Sequence, residues 1–282
     1  MSKIGIAVVS YDRPNHLYVT LDSIYRMGQI GLCNVHTFLI DNNTIGDRVA
    51  IIRDLPTERV IIRQRGGDAF IETFRYMFHI CGYEQVLLFG DDAIVRTDLL
   101  NYVFSLDDSD TKILVDCFGG DDGRKQLDNI VPRLLTHNFR CAKGTFNLLA
   151  QVLPWLNASG GIRLLKHNFD LLDRWVGSDE CISAFGQYWS YTPYRFDLDY
   201  FLLRYMQMRG YLGRFAPIFY AVHFGILGIH TPGDIACKDF EDRMFTGSKE
   251  NWLDNIVSLV SSEEVFHPDI EWKICPRHFV YG

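Results

Sequence analysis

Two adjacent carboxylates, Asp91-Asp92, follow the apolar run Gln85-Val86-Leu87-Leu88-Phe89 after a single glycine, Gly90. A carboxylate pair at a strand end offers hard oxygen ligands to a divalent cation, whose open positions then take phosphate oxygens. Such an arrangement suits a diphosphate leaving group, although an Asp-Asp pair can also simply open a turn. A second acidic pair, Asp197 and Asp199, opens the segment Phe196 to Arg209, which reads as a helix. The positive end of a helix dipole favours an ionised carboxylate, a state compatible with proton abstraction from a hydroxyl, and one of the two serves equally well as a cap. Arg63 and Arg65 flank the turn before another helix, where they can neutralise phosphate or make surface ion pairs. Trp189, Tyr191 and Tyr194 lie in a ring-dense loop and suit either stacking on a sugar or core packing.

These residues must be positioned by an alternating β and α framework. Ile4 to Val9 is an unbroken apolar run of strand length, the pattern of a strand covered on both faces. A helix is expected next, capped by Asp12, with Pro14 in its first turn, Leu17, Leu21 and Ile24 on one stripe, and Gly28 at its end. Val35 to Ile40 reads as a second strand ending at Asp41-Asn42-Asn43, and Val60 to Ile62 as a third. The Gly66-Gly67 turn, a helix from Asp68 to Ile80 and the strand Gln85 to Phe89 complete the alternation. That rhythm predicts a doubly wound, mostly parallel sheet whose ligands sit beyond the carboxyl ends of its strands, where Asp41 and Asp91-Asp92 fall. After about residue 100 the rhythm changes, with strands at Ile113 to Phe118 and Ala216 to Val222 and an acidic loop, Gly119 to Gly123, that would repel phosphate.

The ordered set resembles the family 2-like glycosyltransferases of the GT-A fold. The resemblance rests on Val8-Val9-Ser10-Tyr11-Asp12-Arg13-Pro14, on Phe38-Leu39-Ile40-Asp41-Asn42-Asn43, on the Gly66-Gly67 turn, and on Leu87-Leu88-Phe89-Gly90-Asp91-Asp92. It extends to Phe196-Asp197-Leu198-Asp199 with Arg209-Gly210-Tyr211, and to His223-Phe224-Gly225, covering residues 3 to about 230. It implies a nucleotide-sugar (donor) half over 1–100, a mixed acceptor-side, catalytic half over 101–230, and a C-terminal helical extension over 231–282.

The implied activity is transfer of a sugar from a nucleotide-diphosphate donor, UDP-sugar by family frequency, to a hydroxyl of a glycan or other acceptor, with inversion. Asp199, with Asp197 second, is the expected base; Asp92 and His223 are the expected ligands of Mn2+ or Mg2+, His230 being an alternative ligand and Lys238 a late phosphate contact. Ser10, Tyr11, Arg13, Asp41, Asn43, Arg65, Gly67 and Asp91 are expected around the nucleotide, and Trp189, Tyr191 and Tyr194 around the acceptor. Gly90 departs from the family's acidic motif, which usually carries an acid there, so weaker metal affinity or metal independence follows from the same residues. The alternatives are a retaining transferase on the same fold and an inactive nucleotide-sugar or glycan-binding module. A sugar-1-phosphate nucleotidyltransferase shares the sheet, but it normally has a glycine-rich loop with Arg after the first strand, which Ser10 to Pro14 lacks.

Composition bounds the rest. A formal net charge of −7 without clustered Lys or Arg argues against a nucleic-acid surface. The most apolar late stretch, Tyr211 to Ile229, is broken by Arg214, Pro217 and His223 and is not expected to span a membrane. Seven scattered cysteines without a C-x-x-C pair read as free thiols, the expectation for a soluble cytoplasmic protein.

Overall fold

The computed structural model describes residues 3–63, 67–118, 161–181, 202, 205–206, 208–216, 220–223 and 242–261. In chain order the first half runs β1 (Ile4–Ser10), α1 (Pro14–Tyr25), β2 (Cys33–Ile40), α2 (Ile45–Ile51), β3 (Glu58–Ile62), α3 (Gly67–Arg75) and β4 (Gln85–Gly90). Then come β5 (Ala93–Val95), α4 (Leu99–Ser105), β6 (Ile113–Cys117), β7 (Ile162–Leu165), α5 (Lys166–Val176), β8 (Leu212–Phe215), β9 (Ala221–His223) and α6 (Trp252–Ser261).

Seven strands form one sheet in the order β3-β2-β1-β4-β7-β6-β8, and β5 pairs with β9 in a separate two-stranded ribbon. The β3, β2, β1 and β4 pairings are parallel, as the alternation predicts, whereas β7 is antiparallel to both β4 and β6. The period of two along each strand divides the core between the faces. Ala7, Val9, Phe38, Val86 and Leu88 point to one side, where Phe74, Phe78, Phe169 and Leu172 cover them. Ile6, Val8, Leu39, Leu87 and Phe89 point to the other and meet Leu17, Leu21 and Ile24 of α1 with Leu99, Leu100 and Val103 of α4. The opposite face of α1 carries Tyr18 and Val19, onto which α6 places Leu253 and Ile256.

The second half is tied to the first by a buried charge cluster. Asp116 of β6 and Arg163 of β7 face each other in register, with Nη1 2.6 Å from Oδ2. Arg163 also donates to Gln85 Oε1 at 2.7 Å and pairs with Asp108, while Arg214 of β8 donates to the other Asp116 oxygen at 2.6 Å. Asp116 and Asp108 together thus balance Arg163 and Arg214, two acids against two bases, which a lone charge inside the sheet could not do.

Three local expectations differ from the structure. Asp12 does not cap α1: Arg13 is the N-cap, without a side-chain cap bond, because Pro14 holds its predecessor out of the helical region and fixes the boundary there. The single strand expected over Ala216 to Val222 is two strands, Leu212–Phe215 in the main sheet and Ala221–His223 in the ribbon, since the chain crosses between sheets after Ala216. The helix expected to Ile80 is α-helical to Arg75 and closes in a π turn, Tyr76–Ile80. Leu202 and Tyr205–Met206 are helical, while Asp197, Asp199 and the loop Gly119 to Gly123 lie outside the described residues. Cys33, Cys81, Cys117 and Cys181 are free thiols, and no described helix is long and apolar enough to cross a membrane.

Gly161 shows how tightly the strand leading to the acidic pair is packed. Its φ of +89° belongs to glycine, and a Cβ there would lie 2.3 and 2.5 Å from ring carbons of Phe89. Phe89 in turn stacks on Phe118 at 6.0 Å and immediately precedes Gly90. Gly161→Ala is therefore expected to cost about 3 kcal/mol, the sum of left-handed strain and overpacking. Urea denaturation of both proteins checks this, and a loss under about 1 kcal/mol would show that the ring yields.

Candidate functional site

Asp91 and Asp92 form the turn between β4 and β5, at the carboxyl edge of the sheet, and each is only 3% exposed. Two buried like charges need a counter-charge. Arg13, at the start of α1, provides it: Nη2 lies 2.6 Å from Asp91 Oδ1 and Nη1 2.6 Å from Asp92 Oδ2. The planar fork spans both carboxylates, a geometry that an ammonium cannot reproduce. Asp91 Oδ2 additionally accepts the Ser10 hydroxyl at 2.8 Å and the Tyr11 amide at 3.3 Å.

Burial pushes the Asp91 carboxyl up, with Arg13 and the Ser10 hydroxyl opposing and Asp92 adding to the rise. Burial also works against the charge of Arg13, but Asp91 and Asp92 override it and hold the guanidinium above its ordinary value.

A second arginine joins this turn to the neighbouring one. Arg48 of α2 is fully buried and donates to the carbonyls of Ser10 and Ile40 and, at 2.7 Å, to Asn42 Oδ1. Asn42 Oδ1 also accepts the Thr44 amide and hydroxyl, while its amide nitrogen donates to the Tyr11 carbonyl. The loop after β1 and the turn after β2 are thereby fixed to each other. Arg48's proximity to Asp91 partly offsets the lowering of its pKa by burial.

The strand after the acidic pair is fixed by α1. The Ala93 amide donates to Thr20 Oγ1 at 3.2 Å and the Val95 amide to Ser23 Oγ at 3.1 Å. On its other side β5 pairs with β9 so that Ala93 stands opposite His223. The register brings the His223 backbone beside the residue that follows Asp92.

Of the residues singled out in the sequence, Ser10, Tyr11, Arg13, Asp91 and Asp92 thus form one bonded cluster. Asp41 and Asn43 are exposed on the adjoining turn, with the Asp41 amide bonded to the Ile62 carbonyl at 2.8 Å. Gly67 is the first residue of α3. Arg65, Trp189, Tyr191, Tyr194, His230 and Lys238 lie outside the described residues. Asn42 and Arg48 were not singled out. The signal for Arg48 was available, because with Ile45, Val49 and Ile52 it occupies the i, i+3, i+4, i+7 stripe of α2. A cavity of about 570 Å³ lined by Tyr25, Cys33, His36, Glu58 and Tyr83 lies at the amino ends of β2 and β3, away from this cluster.

Asp91 and Asp92 offer hard oxygens, and a cation, the guanidinium of Arg13, already lies between them, so the pair fits a positive charge. Gly90 adds no third carboxylate, and a Cβ there would crowd Asp92 Oδ1 at 3.0 Å. Among the described residues no group of three or more His, Cys, Asp or Glu converges on one point.

The sheet order, with the acidic pair at its carboxyl edge, is that of a GT-A-like α/β fold. The chain is similar over its whole length to a cytidylyltransferase from Leptospira borgpetersenii, with 10% identity, a TM-score of 0.50 and 100% of both chains covered. Mouse xyloside xylosyltransferase 1 aligns with 82% of this chain and 100% of its own, at 11% identity and a TM-score of 0.47. A mannosyltransferase from Pyrobaculum calidifontis in complex with GDP-Man and Mn2+ aligns over 93% of this chain and 75% of its own, at 13% identity and 0.47. At such identities the likeness is one of fold. No protein-family model and no curated protein sequence matches the chain.

Proposed function

We propose that the chain is a glycosyltransferase that moves a sugar from a nucleotide-diphosphate donor, UDP-sugar first, to an acceptor hydroxyl with inversion. The observation that carries this reading is the buried carboxylate pair at the sheet's carboxyl edge, bridged by Arg13 and bonded to a loop that Asn42 ties to the next turn. In an open α/β sheet that edge is where ligands bind.

The loop Ser10 to Arg13, with Asp41, Asn43, Arg65 and Gly67, surrounds the nucleotide, and Asp91 fixes that loop through Ser10, Tyr11 and Arg13. Asp92, with His223, would hold Mn2+ or Mg2+, which when bound supplies Lewis-acid stabilisation to the departing diphosphate. Asp199, with Asp197 as its alternate, takes the acceptor hydroxyl proton, and Trp189, Tyr191 and Tyr194 stack on the acceptor. Atoms balance: the hydroxyl oxygen bonds to the anomeric carbon, the diphosphate leaves with the bonding pair, and the carboxylate keeps the proton.

A thermal-shift panel of UDP-, GDP- and CMP-type sugars, each with and without Mn2+, tests the donor site, because a ligand bound only by the folded state raises its melting temperature. A rise with one nucleotide sugar, lost in Asp92→Ala, is the expected result. No rise with any combination would sink the reading. Release of pyrophosphate from a nucleoside triphosphate and a sugar-1-phosphate would replace it with nucleotidyl transfer.

A further inference from the structure

We infer that Arg13 is a built-in counter-ion that competes with a divalent cation for Asp91 and Asp92, so that the pair holds the guanidinium or the metal but not both in this geometry. Each carboxylate already meets a guanidinium nitrogen at 2.6 Å, and both are almost fully buried. A metal entering on Asp92 would meet Arg13 Nη1 at the carboxylate oxygen it needs. The two positive charges would then share a poorly hydrated space, where repulsion is screened least.

The neighbouring charges sharpen the conflict. Arg48 is fully buried and feels Asp91, so a further positive charge already acts on this acid. Arg13 balances one of the two charges of Asp91 and Asp92 directly, and Arg48 nearby weakens the field that would attract a free dication. Gly90 contributes no acid that would restore it.

The Arg13 side chain is 24% exposed, so the guanidinium is reachable from solvent while the carboxylates are not. A polyanion arriving there gives the guanidinium an alternative bidentate partner, and the vacated carboxylates then become a cation site. This last step rests on the nucleotide-sugar reading. The competition itself does not, because it belongs to the chain without any nucleotide.

The first test measures Mn2+ affinity without nucleotide, from the electron paramagnetic resonance signal of free Mn2+, in the wild-type chain, Arg13→Gln and Arg13→Lys. Removing one positive charge some 4–5 Å from a dication is worth at least about tenfold in affinity even at the dielectric constant of water. Arg13→Gln is therefore expected to bind Mn2+ at least about tenfold more tightly than wild type, Arg13→Lys to stay close to wild type, and Asp92→Asn to abolish the gain. Equal or weaker binding by a folded Arg13→Gln, or no binding by either, overturns the proposal.

The second test needs no variant. Phenylglyoxal modification of Arg13 in the wild-type chain, followed by mass spectrometry, is expected to accelerate when Mn2+ is added, because the metal frees the guanidinium. An unchanged or slower rate overturns the competition. UDP, GDP and CDP added to the Mn2+ titration separate the two readings. A tighter Arg13→Gln with no effect of any nucleoside diphosphate on wild type upholds the competition while removing the donor site.

Discussion

Asp92→Asn is expected to lower the rate of sugar transfer by about 100- to 1,000-fold, the usual cost of removing one group that stabilises transition-state charge. The fold should survive the change. Asparagine is nearly isosteric and still presents an oxygen to Arg13 Nη1, and its neutrality removes one of two buried like charges. What disappears is the negative charge that a cation at the leaving group requires. The loss should accordingly fall on kcat at saturating donor, with the melting temperature within a few degrees of wild type. Steady-state kinetics with the donor chosen by thermal shift, read beside a melting curve, make the measurement. An unchanged kcat in a well-folded Asp92→Asn would mean that Asp92 holds no charge at the reacting centre and that the metal-assisted mechanism is wrong.

The strands that position Asp92 were legible because they are buried on both faces. Ile4 to Val9 and Gln85 to Phe89 carry no exposed residue to interrupt their apolar run, and the structure sends alternate residues into two separate cores. The short ribbon was not legible as a pair. Its strands have three residues each, too few to show a period, and β5 is stabilised by Thr20 and Ser23 hydroxyls from a helix some 70 residues earlier in the chain. Nothing local to Ala93 to Val95 announces that arrangement. The change of direction after Ala216 is equally a tertiary choice: its amide bonds the Cys117 carbonyl while the Tyr220 amide bonds that of Phe118, so the two segments leave β6 on different courses. For the site, residue type identified the acids and Arg13 but not their mutual pairing. Asp91 and Arg13 are 78 residues apart, and only the parallel register of β1 with β4 brings Ser10 and Asp91 to the same edge.

Arg48 bonds both turns of that edge, and Arg48→Met is expected to cost about 3–5 kcal/mol, the scale for three buried acceptors that lose a charged hydrogen-bond donor. Methionine fills much of the same volume, so the loss isolates hydrogen bonding from packing. It leaves the Ser10 and Ile40 carbonyls without their Arg48 donors and Asn42 without its charged neighbour, at three points where the loop after β1 meets the turn after β2. Arg48→Lys should lie between wild type and Met, since an ammonium keeps the charge but cannot span three acceptors with a planar fork. For a chain of this size the Met variant should melt roughly 5–8 °C below wild type. The consequence for binding follows from the same geometry. With the two turns uncoupled, the Ser10 to Arg13 loop loses the Asn42 bond to the Tyr11 carbonyl as a rigid reference, and donor affinity should fall even at temperatures where the protein remains folded. Calorimetry of donor binding at low temperature, set beside the melting curves, separates the two effects. A full-affinity Arg48→Met would show that the acidic turn and its arginine hold the donor loop without help from β2.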